Sequence, residues 1–413
     1  MKLVTLNQQQ FNKYASSHRY RSYYQTSAYG LSMLKLGYNV HYFGIVDGTN
    51  SLIGATMILY KEVFMNNKIA YAPRGILFDY SDSKKVKELA ECLKNLLGKQ
   101  GFMLLRMDPY IPISIHSNDG DLINMNNQES IILENLATAK FEYKGKNLYF
   151  ENEKPRWEAL VLLNKNEEVL FERFDKRTRN KIRKAKNIGI EVYNDTTKDI
   201  KELYEFVGKK DKKPIKYYEA LVKNFGEDID VYYAKINTET FIINSRKMYE
   251  NELLNNEQLA ERIQQYAPND KERQNTLNKK MESDKLISSY KNNMLLATEL
   301  LKKHPDGILI GGALVIKYDN AAYIVTDGYN EKFSSLNASY LIKWQMISDY
   351  NQQGLKYLNM NAVVGEFEKK NQYSGLNEMK LGFNTIVTEY IGEFDLILNN
   401  FTYNLFKSFN KEK

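Results

Sequence analysis

Apolar positions along this chain keep two rhythms. Over "HYFGIVDG", "SLIGATMILYKEVF" and "KIAYAPRGILF", β-branched and aromatic residues run between turn signals, which predicts strands. "SKKVKELAECLKNLLGKQG" has helical spacing and a stop at Gly98 or Gly101. "FMLLRMDPYIPI" opens as a buried strand that Pro109 ends. A second block of the same kind begins at "PRWEALVLLN". It runs through a basic helix, the strand "IEVYN", the helix "TKDIKELYEFVGKKD" and the strand "IDVYYAKI".

The alternation then stops. From about Thr240 to Lys303 the sequence reads as two polar helices joined at "APND". Leu253, Ala260 and Ile263 form part of a seam that Asn256 interrupts, and Leu286, Tyr290, Ala297 and Leu300 return it. The pattern predicts an antiparallel helical hairpin, on the order of 40 Å long at ~1.5 Å rise per residue. It serves either as a partner-binding arm or as a purely structural insertion. After "HPDG" the alternation resumes with the strands "ILIGGALVIKY" and "AAYIVTDGYN", the helix "NASYLIKWQMISDYNQQG" and the strand "KYLNMN". The expected organisation is an α/β domain over 1–150, a second over 151–239 and 304–413, and an arm over 240–303.

Composition narrows the class. The chain has 413 residues, 43% hydrophobic and 26% charged, too long for one ordinary core. A formal charge of +7 favours anionic partners such as RNA, phosphates or an acidic membrane surface. The single Cys92 excludes an intrachain disulfide and fits a reducing compartment. The N-terminus lacks the apolar core of a signal peptide, and no stretch reaches the ~18 apolar residues of a span. The expectation is a cytosolic protein able to work at a membrane surface.

The usual catalytic motifs are missing. There is no GxxxxGK[ST] loop, no GxGxxG after a strand, and no GxSxG elbow. The histidines are scattered, with no second ligand at metal spacing. An enzyme of this sequence would work by positioning, proton transfer and electrostatic stabilisation, without a metal or other cofactor.

In "FDKRTRNKIRKAKNIGI" seven cations, from Lys176 to Lys186, crowd one helix, and Arg173 precedes it. Lys176, Arg179, Arg183 and Lys186 share a face by their 3–4 spacing, while Ile182 and Ala185 point to a core. The face is either a solvated surface or a seat for a polyanion.

In chain order, "YYQTSAYG", "YAPRGILFDYSD", "MDPYI", "KPRWEALVLL", the basic helix, "GALVIKYDNAAYIVTDG" and "YSGLNEMKLGFN…EYIGEFD" resemble the FemABX family of peptidoglycan-bridge aminoacyltransferases. They resemble especially branches like MurM and MurN. The resemblance covers nearly the whole chain, arm included. It implies two acetyltransferase-like (GNAT) domains. It also implies transfer of an amino acid from aminoacyl-tRNA to an amine on the stem peptide of a cell-wall precursor. The RxxGxG/A loop with which ordinary GNAT domains hold coenzyme A is absent, so acetyl-CoA is not expected.

By the same resemblance Lys380, in "GLNEMKLGF", lies near the tRNA 3′ end and stabilises the oxyanion of ester aminolysis. Its alternative is an exposed strand-end lysine. Met379 stands where relatives carry an aromatic residue. Asp108, in "MDPYI", is either a base for the attacking ammonium or a turn-forming residue before proline. Gln25 and Tyr29 match the start of the acceptor-site helix. Arg74 is a matched basic position, with a structural ion pair as its alternative. Lys213 and Tyr217 replace an Arg and Tyr pair, and Met33 replaces a phosphate-binding lysine. Tyr340 and Tyr373 are weaker cleft candidates. The family's "FGG" reads "NMNA", Asn359 to Ala362.

The resulting expectation is transfer of Ala, Ser or Gly to a lipid-linked murein precursor. The partners would be aminoacyl-tRNA and the inner membrane surface, with no DNA and no metal. The basic face of Lys176, Arg179, Arg183 and Lys186 would meet tRNA phosphates. Two other readings stay open: a non-murein acceptor, suggested by "NMNA", and a non-catalytic tRNA- or wall-machinery-binding protein of the same fold.

Overall fold

The computed structural model describes residues 1–411 apart from 65, 164, 165, 209–211 and 369–371. Two mixed sheets carry the fold. The first runs Lys2–Thr5, Asn39–Val46, Leu52–Phe64, Asn67–Ala72, Phe102–Met107, Phe394–Ile397 and Phe141–Tyr143 from edge to edge. The second runs Ile190–Asn194, Ile229–Ile236, Ile308–Tyr318, Ala321–Tyr329, Tyr357–Ala362, Trp157–Leu162, Ile386–Tyr390, Pro112–His116 and Leu122–Met125.

One architecture is used twice. In each sheet antiparallel neighbours lead to a single parallel pair, and one helix makes the crossover that a parallel pair requires. In the first sheet this is Ser83–Lys99, capped by Asp82 and burying Val86, Leu89, Ala90, Leu93 and Leu97 at 3–4 spacing. In the second it is Ala338–Gln352. The expected glycine stop after the first of these helices falls at Gly101, whose φ of +81° lets the chain reverse into the next strand. These are the two GNAT-like units expected from the sequence, with the antiparallel arm inserted in the second.

Sheet membership does not follow chain order. The Pro112–His116 and Leu122–Met125 strands, from the first 150 residues, join the second sheet, and the late Phe394–Ile397 strand joins the first. The two units are therefore interlocked by their own backbone. Asp395 seals the exchange. It is fully buried and binds Arg106 Nε at 2.8 Å and Lys144 Nζ at 2.7 Å.

The arm consists of Thr238–Gln265 and Lys271–Lys303, started by Asn237 and Asp270. Its seam is partly out of phase with the sequence reading. Leu259, Ala297 and Leu300 are buried, but Leu286 is 41% exposed and Ser283 takes an inward place. The interruption at Asn256 is a polar interlock: its amide donates to Ser283 Oγ and Asp284, and Ser283 donates to Glu252. Such a pairing sets the register of two helices whose apolar seam is thin. At the arm's base Asn244 donates to the carbonyl of Asn187, the last residue of the basic helix.

Burial raises the Asp395 carboxyl, but Arg106 and Lys144 together hold it below its ordinary range. The stability this contributes is present above the unfolded pKa near 4 and is lost as pH falls through the lower folded value. Asp395→Asn is expected to cost ~3 kcal/mol at pH 7, because two cations then lack their buried partner. Urea midpoints against pH check this, and the gap between wild type and variant should close on acidification below about pH 4.

Candidate active site

The Ala321–Tyr329 and Tyr357–Ala362 strands pair only from Ala321↔Tyr357 to Tyr323↔Asn359. Beyond that register they part. The second strand then bulges against its other neighbour between Asn359 and Ala362. A parallel pair that separates halfway leaves backbone groups and a gap for a ligand.

"NMNA" builds the edge of this gap. Asn361, at φ +68°, donates to the Ile324 carbonyl across the parting, and its own N–H binds Asn359 Oδ1. Asn359 donates to Glu158 Oε2 at 2.7 Å. The asparagines thus brace the parting with side chains, where a glycine pair would leave it open.

Lys380 closes the far side. It sits on the Ser374–Leu381 helix, not at a strand end, and is half-buried. Its Nζ donates to the Ala362 carbonyl at 2.6 Å. Burial and the nearby Lys343 push its pKa down to about 8, while Asp327 and Glu158 work the other way. Lys343 is 1% exposed and binds Asp327 Oδ2 at 2.6 Å. Beside them Lys181 donates to the Tyr340 hydroxyl, and the Tyr340 ring stacks on Phe383.

The basic helix is fastened directly to this corner. Its cap residue Asp175 donates its N–H to the Gly382 carbonyl at 2.9 Å. A Cβ at Gly382 would meet Thr178 Oγ1 and Asp175 Oδ2, so the approach needs glycine. Lys176, Arg177, Arg183 and Lys186 are exposed, and Ile182 and Ala185 are buried as expected. Arg179 differs from the expectation. Its guanidinium donates to the carbonyls of Glu172 and Phe174 and braces the turn into the helix. Arg183 pairs with Glu172 at 3.5 Å. A cavity of about 910 Å³ runs along this helix over Phe171 and Trp344. Glu167, Glu168 and Glu172 line it together with Arg183 and Lys186, so its wall carries charges of both signs.

A second group of charges lies between the sheets. Arg74, on the first unit, is 2% exposed and has φ +52°. It donates to Glu158 Oε1 at 2.6 Å and to the Pro155 carbonyl at 2.7 Å. Its own N–H donates to Asp108 Oδ1 at 2.7 Å, and its guanidinium stands 3.6 Å from Asp108 Oδ2. The rings of Tyr110 and Tyr390 both lie 5.0 Å from it. Glu158 is fully committed: Tyr110 and Asn359 share its second oxygen. Two carboxylates thus share one guanidinium, and Glu158 has the better geometry. Burial consequently pushes Asp108 up to about 7 in spite of Arg74. Asp108 and Lys380 share no contact; the charge of Arg74 reaches the first and that of Glu158 the second.

The acceptor-side candidates divide. Gln25 is fully buried, and its amide binds the N–H and carbonyl of Met57 and the carbonyl of Pro73. It braces the backbone beside a cavity of about 230 Å³ that it helps to line. Tyr29 and Tyr217 are also buried. Lys213 lies over the Tyr217 ring at 5.4 Å, and Met33 packs in the core. Tyr373 meets Tyr149 and Phe150. The cation beside Tyr29 is Lys154, 3.3 Å from its hydroxyl and 4.2 Å from the centre of the Tyr24 ring.

Sequence reasoning missed Glu158, Asp327, Lys343, Lys181 and Lys154. For two of them a signal existed. Glu158 interrupts the apolar run "WEALVLL", and Lys343 lies on the inward face of "SYLIKWQMI". A charge at a core position needs a partner, and such positions mark sites.

The FemAB family model matches residues 6–411. The chain is similar to the aminoacyltransferase FemA of Staphylococcus epidermidis, 22% identical over 431 residues with both chains covered in full. It is also similar to FemA of Staphylococcus aureus, 22% identical over 425 residues, covering 100% of this chain and 99% of the relative. The crystal structure of FemX superposes with a TM-score of 0.70 at 20% identity, over 98% of this chain and 99% of that one. At that identity the likeness concerns the fold.

Arg74→Met is expected to leave Asp108 and Glu158 as unpaired buried carboxylates, at ~3–5 kcal/mol. Without Arg74 to lower its pKa, the buried Asp108 carboxyl would favour its protonated form still more when folded. The loss should be largest above pH 7 and shrink towards pH 5. Thermal unfolding of wild type and variant across that range checks this.

Proposed function

Because this chain belongs to the FemAB family, we propose that it carries an amino acid from aminoacyl-tRNA to the stem-peptide amine, or the growing cross-bridge, of a peptidoglycan precursor. It is an aminoacyltransferase of that family. The finer reading is a MurM- or MurN-like enzyme that transfers Ala, Ser or Gly to lipid II. It would act in the cytoplasm at the inner membrane surface. Among the described residues no helix is long and apolar enough to cross a membrane, so contact with a lipid-linked acceptor would be peripheral.

The observation that carries this reading is the parting of the two strands with Lys380 bound to Ala362 at its edge. From there the basic helix leads to the arm's base, tied at its start to Gly382 and at its end to Asn244. A tRNA whose 3′ end enters the gap would lay phosphates along Lys176, Arg183 and Lys186. In the reaction the acceptor ammonium first gives up a proton, and Asp108 takes it. The nitrogen attacks the ester carbonyl carbon, a C–N bond forms, and the C–O bond to ribose breaks. The ribose oxygen leaves with the nitrogen's second proton. Lys380, as an ammonium, stabilises the carbonyl oxygen while it is negative. No metal or coenzyme enters these steps.

Transfer of labelled amino acid from a mixed aminoacyl-tRNA pool to lipid II, or to the soluble nucleotide-linked precursor, tests the reading. kcat/KM should rise through about pH 7 as Asp108 ionises and fall above about pH 8 as Lys380 loses its proton. Lys380→Met should lower transfer on the order of 100-fold or more, and Asp108→Asn should remove the acidic limb. Full activity in Lys380→Met would remove that lysine from the mechanism. Absence of product with both acceptors, with tRNA still bound, would move the enzyme to another acceptor.

The tRNA face has its own test. Lys176→Gln with Lys186→Gln should weaken tRNA binding and reduce the slope of log K against log salt by up to about 2. Arg179→Gln should lower stability instead, since its guanidinium braces backbone. An unchanged slope in the lysine double variant would place the RNA elsewhere.

A further inference from the structure

The strand parting holds more charge than an acyl transfer needs. Lys380 and Lys343 both lie at it, and Asp327 is bound to Lys343 and lies within electrostatic reach of Lys380. Asp327 sits on the diverging half of the Ala321–Tyr329 strand, past the last paired residue Tyr323. Its side chain remains 36% exposed, although the lysine that grips it is buried. The neighbouring Glu158 is closed off by Arg74, Tyr110 and Asn359.

An aminoacyl ester differs from a plain acyl ester by one group, the α-ammonium. That group lies two bonds from the carbonyl which Lys380 would stabilise. Placing a third cation between two lysines is unfavourable unless an anion faces it. We infer that Asp327 is the counter-ion of the donor's α-ammonium, and that Lys343 is the positioning residue that holds the carboxylate at the parting. The ammonium keeps its protons and donates to the carboxylate in a charge-assisted hydrogen bond. This would make the site selective for aminoacyl over uncharged acyl donors. The same GNAT-like architecture could otherwise accept either. The inference rests on the aminoacyl-tRNA donor proposed above.

The test compares tRNA charged with an amino acid against the same tRNA carrying the matching α-hydroxy acid. That ester has a hydroxyl in place of the ammonium. Wild type should prefer the aminoacyl donor ~10-fold or more in kcat/KM, the worth of one charged hydrogen bond. Asp327→Asn should bring the ratio close to 1, mainly by slowing the aminoacyl donor. If that variant folds poorly with Lys343 unpaired, Asp327→Asn combined with Lys343→Met removes both charges and should lose the preference equally. An equal fall with both donors, leaving the ratio intact, would show a merely structural ion pair and overturn the inference alone. Transfer from neither donor by wild type would overturn the donor reading, and this inference with it.

Discussion

One guanidinium holds the molecule's functional geometry. Arg74 leaves the first sheet at a left-handed backbone position and reaches Glu158 on a strand of the second. Through its own N–H it also keeps Asp108. Removing a full positive charge from water is costly, and only its paired carboxylates make the burial tolerable. Since Glu158 in turn binds Asn359, the same charge sets where the parted strand starts to bend away. The spacing between the Asp108 side and the Lys380 side therefore depends on this contact.

The pairing is unequal. Glu158 takes the close contacts of Arg74, and Asp108 is left with an ion pair at 3.6 Å in a buried place. An acid so placed ionises near neutrality and not near pH 4. At the parting, a lysine hemmed in by burial and a second lysine loses its proton far more readily than one in water. Both groups therefore change charge close to neutral pH. Rigid support comes from interlocked sheets: each unit contributes strands to the other, and Asp395 pins the exchange with two cations.

The sequence departures acquire a physical meaning in three dimensions. "NMNA" does not open the channel wider; its asparagines bridge to Ile324 and Glu158 and stiffen the edge. Met33 is a core residue, so no cation at that position was available to a ligand. A cation beside Tyr24 and Tyr29 comes instead from Lys154, in the segment between the two units. Gln25 matched a family position, yet all its hydrogen-bonding capacity is committed to backbone.

By itself the sequence determined the repeated α/β rhythm, the inserted polar helices, the basic helix with its inward Ile182 and Ala185, and Lys380 and Asp108 as candidates. The rhythm, the insertion and the basic helix are legible because periodicity and local charge density are properties of neighbouring residues, whereas Lys380 was named through the family resemblance. Only the tertiary structure decided which strands change sheet, that Arg179 is a brace, that Leu286 faces out, and that Asp327, Lys343 and Glu158 surround the parting. Those outcomes depend on pairings between residues far apart in the chain, such as Arg74 with Glu158 and Arg106 with Asp395. Register, burial and counter-charge arise from such contacts, and no local pattern encodes them.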